Sequence, residues 1–333
     1  MKLWKIMFLN IIIIGTLISI SAISWFSMWM GLEINLMAVI PLIANNKNMY
    51  SSESALKYFI IQALASTVLL FSLILIMFND EILQYNYKTL FILMMNSSLM
   101  SKMGAAPFHF WFPEIISGLN WFMTSVMLTW QKLAPMVIFM YNYKLMMFNI
   151  TVIISSMIIG SVMSLNQSNL RKIFVYSSIN HMGWMISAMM FNQSVWTNYF
   201  LIYNLMIFQL TLILFNQNIY SMNQIYSLFN NNKIMKLMFF MNFLSLGGLP
   251  PMIGFFPKWM TINSMLENKF MLSIFMVIVT LIMLFTYTRI MFNALMIKSP
   301  EFKLNTKNFK FISSTSIINA LSLTLTPLAY FLT

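Results

Sequence analysis

A long apolar segment of this 333-residue chain is interrupted by Ser101-Lys-Met-Gly-Ala-Ala-Pro-Phe-His-Phe-Trp-Phe-Pro-Glu114. A second apolar segment contains Ser245-Leu-Gly-Gly-Leu-Pro-Pro-Met-Ile-Gly-Phe-Phe-Pro-Lys258, which aligns with the first without gaps. Five of the fourteen positions match, at a constant offset of 144 residues. Proline removes a backbone donor and glycine weakens a helix, so both segments are predicted to be broken helices.

The two broken segments are predicted to form an inverted repeat. The second lies five apolar segments further along the chain than the first, and because five is odd the copies cross a membrane in opposite directions. Paired Gly/Pro-interrupted spans in inverted halves mark the site region of many transporters. A chance match between common membrane residues is the alternative interpretation.

The composition indicates that lipid is the solvent of this chain. Hydrophobic residues make up 60% of it and charged residues 8%, whereas soluble domains carry roughly a quarter charged residues. The apolar runs are long and do not alternate with period 2, which favours helices over a barrel. We predict a single all-α antiporter-like transmembrane domain, 1–333, of about eleven helices. They cover about 4–23, 25–44, 56–78, 89–117, 121–141, 147–166, 172–192, 197–217, 236–265, 270–292 and 311–331.

The residue types of the chain exclude several classes of function. The chain has no cysteine, so iron–sulfur clusters and thiolate zinc sites are not expected. His109 and His181 lie in different segments and offer no paired haem ligation, so electron transfer is expected in another subunit. The net charge of +12 comes from short loops, not from a soluble basic patch, so no nucleic acid is expected as a partner.

The loop charges predict how the helices are oriented. With eleven helices and the N-terminus inside, twelve basic residues lie on the inner side and three, Lys88, Lys144 and Lys269, on the outer side. This asymmetry agrees with the positive-inside rule, so we expect the N-terminus on the inner side and the C-terminus on the outer side.

A few ionisable residues remain inside apolar segments, and these are the candidate functional residues. Glu33 lies midway along the second predicted helix, Lys102 precedes the first break, Lys132 is central in the fifth helix and Lys258 follows the second break. Ionisable residues within a membrane face the protein interior, pair with one another and mark ion or proton pathways. The bland alternatives are a packing carboxylic acid for Glu33 and lysines that snorkel to an interface.

Lysine has the chemistry that a proton relay requires. Burial disfavours the charged form of a lysine and a nearby carboxylate favours it, so a buried lysine can change charge near neutral pH. Arginine stays protonated and cannot do this.

His181 is a further relay candidate because histidine titrates near neutral pH. A neutral histidine satisfied within the core is the alternative. For His109 and Glu114 we expect a structural role, and for Arg289 snorkelling to the inner interface.

Several of these motifs together resemble the subunit 2 family of the mitochondrial NADH–ubiquinone oxidoreductase, respiratory complex I, whose members are antiporter-like membrane subunits. The stretches that carry the resemblance are Trp29-Met-Gly-Leu-Glu-Ile-Asn35, Lys102-Met-Gly-Ala-Ala-Pro-Phe-His-Phe-Trp-Phe-Pro-Glu114, Thr129-Trp-Gln-Lys-Leu-Ala-Pro135, Asn169-Leu-Arg-Lys172 with Tyr176-Ser-Ser-Ile-Asn-His-Met-Gly-Trp184, and Asn242-Phe-Leu-Ser-Leu-Gly-Gly-Leu-Pro-Pro251 with Phe256-Pro-Lys-Trp259.

The resemblance implies a role for each candidate residue. Lys102 matches the pump lysine, Glu33 the glutamate beside it, Lys132 the central connecting lysine, Lys258 the lysine on the second broken helix and His181 a histidine of the polar axis. It implies proton translocation coupled to quinone reduction elsewhere. This chain would hold no cofactor, and NADH, flavin, iron–sulfur clusters and ubiquinone would bind in partner subunits.

The resemblance also implies the location and the partners. We expect a multi-pass protein of the mitochondrial inner membrane, with its N-terminus on the matrix side and its C-terminus on the intermembrane-space side. Other membrane-arm subunits and lipids would surround it. Two alternatives stay open, an independent cation/proton antiporter and a purely structural membrane-arm subunit.

Overall fold

The structure is a computed structural model that describes residues 3–44, 48–79, 85–143, 145–228, 233–250, 252–266 and 269–296. Within these ranges the chain is helical, and its β-structure is limited to an isolated bridge between Asn169 and Ser221. The predicted all-α class is confirmed. The eleventh predicted helix, 311–331, lies outside the described residues.

The chain divides into two compact units, Met1–Ser156 and Met157–Thr333. The first unit contains α1 (Leu3–Ser21), α2 (Trp25–Ile43), α3 (Met49–Asn79), α4 (Tyr85–Met103), α5 (Trp111–Gly118), α6 (Trp121–Leu128) and α7 (Trp130–Met140). Helix α8 (Met146–Ser164) contains the boundary between the units. The second unit contains α9 (Leu170–Phe191), α10 (Gln193–Gln217), α11 (Met222–Leu228), α12 (Lys233–Gly247), α13 (Phe255–Leu266) and α14 (Phe270–Met296).

Six helices in the described part of the chain are long and apolar enough to cross a membrane: Leu3–Ser21, Trp25–Ile43, Met49–Met77, Met146–Ser164, Gln193–Gln217 and Phe270–Phe292. The two predicted Gly/Pro segments are each divided into two helices, α4 with α5 and α12 with α13. Both interruptions occur at the glycines and prolines that the sequence singled out.

The fifth predicted helix, 121–141, differs from the expectation of a continuous span. It is divided at Thr129, whose backbone dihedrals are φ −114° and ψ −74°. The Thr129 hydroxyl donates to the Ser125 carbonyl at 2.6 Å, and Pro135 leaves α7 one backbone donor short. Threonine bonds of this kind distort helices, and their effect was not apparent from hydropathy.

Small residues bring α1 and α2 close together, which fixes α2 inside the first unit. A Cβ added at Gly31 would lie 2.7 Å from the Ser19 backbone nitrogen and 2.9 Å from the Gly15 carbonyl. Glycine contacts of this kind allow close backbone packing between membrane helices. On the other face of α2, the Trp29 indole donates to the Ser66 carbonyl on α3 at 3.1 Å. Glu33, one turn further along α2, is thereby held between neighbouring helices.

Helix α9 is the central element of the second unit. Nearly all its residues from Ile173 to Met189 are buried, and it packs against α10 and α13. A helix that is apolar on every side needs protein or lipid around its whole circumference. Its buried polar residues, including His181, are therefore held within the protein interior.

Candidate functional site

The first helix break is closed by backbone hydrogen bonds around Gly104. Gly104 has φ +71°, its amide donates to the Ser101 carbonyl at 3.2 Å, and the Ala105 amide donates to the Met100 carbonyl at 3.0 Å. This is the Schellman pattern, in which a left-handed glycine ends a helix. The Trp111 indole also donates to the Ser101 carbonyl at 3.1 Å, so α5 is joined to the end of α4.

An ion pair forms beside this break. Lys102, in the last turn of α4, places Nζ 3.8 Å from Oε1 of Glu33 on α2. The lysine side chain is 4% exposed and the glutamate side chain 21%. A separation of 3.8 Å permits strong attraction but exceeds the length of a direct hydrogen bond. The two residues can therefore act on each other's charge while the proton remains available to a third group.

Polar side chains from three helices converge near Lys102. The Gln62 amide donates to the Lys102 carbonyl at 3.4 Å, and the Gln131 amide donates to Asn35 Oδ1 at 3.1 Å. These residues, together with Tyr58, line a cavity of about 20 Å³. Of these residues, only Lys102 was predicted from the sequence.

Lys132 is the most deeply buried of the three candidate lysines. It is 2% exposed, and its Nζ lies 5.3 Å from the centroid of the Phe112 ring on α5. A cation within about 6 Å of an aromatic face is attracted by the ring quadrupole. The ring is also close to the break, because a Cβ added at Gly104 would lie 3.2 Å from Phe112 Cγ. Phe112 therefore lies against both the break and the central lysine.

The second helix break repeats the hydrogen bonds of the first at the predicted offset. Gly248 has φ +76°, its amide donates to the Ser245 carbonyl at 3.0 Å, and the Leu249 amide donates to the Leu244 carbonyl at 3.3 Å. The Schellman pattern is the same. The inverted relation between the two copies stays a prediction.

Lys258 lies beyond this break, on α13, and reaches back to the end of α12. Its Nζ donates to the Gly247 carbonyl at 2.8 Å and to the Leu246 carbonyl at 3.5 Å. Carbonyls at a helix C-terminus carry a partial negative charge and favour a cation. The same Nζ lies 6.0 Å from the centroid of the Trp184 ring on α9.

His181 and Trp184 are one turn apart on α9, so the histidine belongs to the same neighbourhood as Lys258. His181 Nδ1 and the Tyr199 hydroxyl are 2.8 Å apart, and the Tyr203 ring centroid is 5.1 Å from the imidazole. Both tyrosines are on α10, one turn apart, and both are buried. A hydroxyl in contact with an imidazole can pass or receive a proton. Neither tyrosine was predicted from the sequence as a site residue.

The structure thus brings the five predicted residues into three local settings. Glu33 and Lys102 form an ion pair, and Lys132 lies on Phe112. His181, on α9, contacts Tyr199, and Lys258 approaches Trp184 on the same helix. Their assignment to a relay stays a prediction.

Three other ionisable residues have local partners of their own. Glu114 is exposed and pairs with Lys57 at 3.0 Å. His109 Nδ1 lies 3.3 Å from the Pro107 carbonyl, and Arg289 donates to the Leu165 carbonyl. The expected snorkelling of Arg289 to the inner interface stays a prediction.

A family model described as NADH:quinone oxidoreductase/Mrp antiporter, TM, matches residues 22–286, which include both breaks and all five predicted site residues. The chain belongs to this family. Among members of the NADH:quinone oxidoreductase/Mrp antiporter family, NADH-ubiquinone oxidoreductase chain 2 of Anopheles gambiae is 45% identical over 97% of this chain and 96% of its own length. The protein of the same name from Locusta migratoria is 43% identical over 89% and 87%.

A solved structure shows the same fold. A chain in respiratory complex I from Thermus thermophilus with bound aureothin superposes with a TM-score of 0.86 at 21% identity. The match covers 98% of this chain and 78% of that chain.

Proposed function

We propose that this chain is a core membrane-arm subunit of proton-pumping NADH:ubiquinone oxidoreductase and that it translocates protons through its buried carboxylate and lysines. The observation that carries the proposal is the Glu33–Lys102 ion pair beside a broken helix. Two charges at about 4 Å interact by about 4 kcal/mol at an effective dielectric of 20. Such a pair is costly to bury and gives a conformational change a large electrostatic effect on the lysine's proton.

The first step of the relay takes place at this pair. With the carboxylate of Glu33 close by, the ammonium form of Lys102 is stabilised. When the carboxylate moves away or gains a proton, that stabilisation is lost, and one N–H bond of Lys102 breaks as the proton passes toward Lys132. Phe112 stabilises the new charge on Lys132 through its ring.

The second unit supplies the later steps. His181 and Tyr199 are in hydrogen-bond contact and can exchange a proton between Nδ1 and the hydroxyl oxygen. Lys258, which lies on the end carbonyls of α12, is the last group from which a proton leaves. Each transfer breaks one N–H or O–H bond and forms another, so no oxidant or reductant is consumed in this chain.

The oxidation–reduction chemistry belongs to partner subunits. NADH, flavin, iron–sulfur clusters and ubiquinone bind there, and the energy of quinone reduction reaches this chain through its contacts with neighbouring membrane-arm subunits. The chain lies in the mitochondrial inner membrane, with lipids around it, its N-terminus on the matrix side and its C-terminus on the intermembrane-space side.

Substitution of Lys132 tests the proposal. Lys132→Met keeps the length and apolar fit but removes the titrating amine, and Lys132→Arg stays protonated. In reconstituted complex, both variants should assemble, and both should lose most NADH-driven proton translocation. The matched control is Lys57→Met at an exposed lysine, which should leave translocation unchanged.

Full translocation with normal assembly in both Lys132 variants would contradict the relay and favour a purely structural subunit. Proton or cation exchange by the isolated chain, without any redox partner, would favour an independent antiporter.

A further inference from the structure

The cavity beside Lys102 has the size and the lining of a water site. Its volume is about 20 Å³, and about 10–15 Å³ is enough for one water molecule. A buried water also needs two to four polar partners. Lys102, Gln62, Asn35 and Gln131 all line the cavity and supply them.

We propose that this cavity binds a water molecule that accepts the proton of Lys102, and that Asn35 and Gln131 are positioning residues that orient it. The inference rests on the proposed function and names the residues that hold the first transfer step. Neither amide changes its protonation, so their role is to aim the water and not to carry the proton.

The hydrogen bond between the two amides explains how they can orient a water. Gln131 Nε2 donates to Asn35 Oδ1 at 3.1 Å, which uses one donor and one acceptor lone pair. A primary amide has two N–H donors and an acceptor oxygen, so the joined pair keeps donors and acceptors for a third molecule. Because α2 and α7 each contribute one amide, the water would be held at a fixed place between two helices.

The placement of Gln131 gives the water a direction. Gln131 lines the cavity, whereas the next residue, Lys132, lies on the Phe112 ring. Successive residues of a helix point about 100° apart, so α7 presents an amide to the water and an amine on an adjacent face. The Lys102 N–H bond would break as a water O–H bond forms, and the water would release a different proton toward Lys132.

Removal of each amide tests the positioning role. Gln131→Met and Asn35→Leu keep the side-chain bulk and remove the polar groups. In reconstituted complex, each should translocate protons about tenfold more slowly, which corresponds to about 1.4 kcal/mol. The double variant Asn35→Gln with Gln131→Asn keeps two amides of the same total side-chain length. Its rate of proton translocation should be within about threefold of that of the unsubstituted complex. The matched control is Gln193→Met, at an exposed glutamine outside the cavity, which should translocate normally.

A structure of the whole complex with resolved waters gives a second readout. The proposal expects water density within about 3.5 Å of both Lys102 Nζ and the Gln131 amide, and its loss in Gln131→Met. A dry cavity, or normal translocation by Gln131→Met, would overturn the inference. If Asn35→Leu does not assemble, the translocation rate and the water density of Gln131→Met test the inference alone. Loss of translocation in Lys132→Met together with normal translocation in Gln131→Met would reject only the water site, whereas normal translocation in Lys132→Met would reject the proposed function.

Discussion

The break after Met103 and the break after Gly247 share the same backbone hydrogen-bond pattern, but the lysine at each break has a different partner. At the first, Lys102 precedes the glycine and faces the carboxylate of Glu33 at 3.8 Å. At the second, Lys258 follows the glycine and donates to the Gly247 carbonyl at 2.8 Å. A carboxylate can move or gain a proton, whereas a helix-end carbonyl has a fixed partial charge. In the proposed relay, the partner of Lys102 would therefore switch that lysine, whereas Lys258 would be held by a fixed partner at the end of the path.

The largest destabilisation is expected for a substitution at Gly254 in the second break. At the offset of 144 residues, the equivalent residue of the first break is Phe110. A Cβ at Gly254 would meet the Ser245 carbonyl oxygen, which is part of the hydrogen bonding that ends α12, and would lie 3.1 Å from the Met206 sulfur. Gly254→Ala should therefore destabilise the chain by more than about 3 kcal/mol and prevent assembly, measured as the amount of intact complex. Gly247→Ala is the control, since the nearest atom is 3.6 Å away. Normal assembly of Gly254→Ala would mean that the second break can shift to accept a Cβ, which would contradict the tight packing of Gly254 against the Ser245 carbonyl.

Loss of the carboxylate at the first break should have the next largest effect. Glu33→Gln leaves the buried Lys102 without its opposite charge, and removal of one partner from a buried pair costs about 3–5 kcal/mol. Because the Glu33 side chain is 21% exposed, we expect about 2 kcal/mol, seen as a lower thermal midpoint, together with slower proton translocation. Glu114→Gln breaks an exposed pair and should change the midpoint little. Equal effects of the two substitutions would remove the distinction between a functional and a surface pair.

Alanine at the two left-handed glycines compares the breaks directly. Gly104→Ala and Gly248→Ala should each cost about 1–2 kcal/mol because a residue with a Cβ disfavours positive φ. At Gly248 the new Cβ would also lie 2.8 Å from Lys258 Cδ and 2.9 Å from its Nζ, whereas at Gly104 it meets the Phe112 ring at 3.2 Å. The two variants should therefore have similar thermal midpoints, but Gly248→Ala should reduce proton translocation more than Gly104→Ala does. The reverse order would contradict a role for Lys258 at the end of the path.

The smallest effect concerns the ring beneath Lys132. Phe112→Leu removes the cation–π contact, and Phe112→Tyr keeps it. Phe139→Leu, at another buried phenylalanine, reports the cost of the lost volume alone. The destabilisation by Phe112→Leu should exceed that by Phe139→Leu by about 1 kcal/mol, and Phe112→Tyr should stay near the unsubstituted complex. Equal losses for the two leucine variants would show that the ring is only packing.

The sequence predicted the features that depend on local chemistry. Gly104 and Gly248 end helices because few other residues adopt positive φ, and Lys102 and Glu33 stand out because charge is costly in a membrane. The break at Thr129 was missed because it depends on a hydroxyl bond to Ser125. The carbonyl partner of Lys258 and the Asn35–Gln131 pair were also missed, because they depend on which helices pack together.

In the proposed function, the lysines at the two breaks carry protons and do not merely hold the breaks together. The most direct test is the number of protons translocated per NADH oxidised by reconstituted complex with Lys102→Arg or Lys258→Arg. Arginine keeps the positive charge and the hydrogen-bond donors toward Glu33 and the Gly247 carbonyl, but it does not release its proton. We expect normal assembly and fewer protons translocated per NADH oxidised for both variants. An unchanged number in either variant would contradict the proposed function.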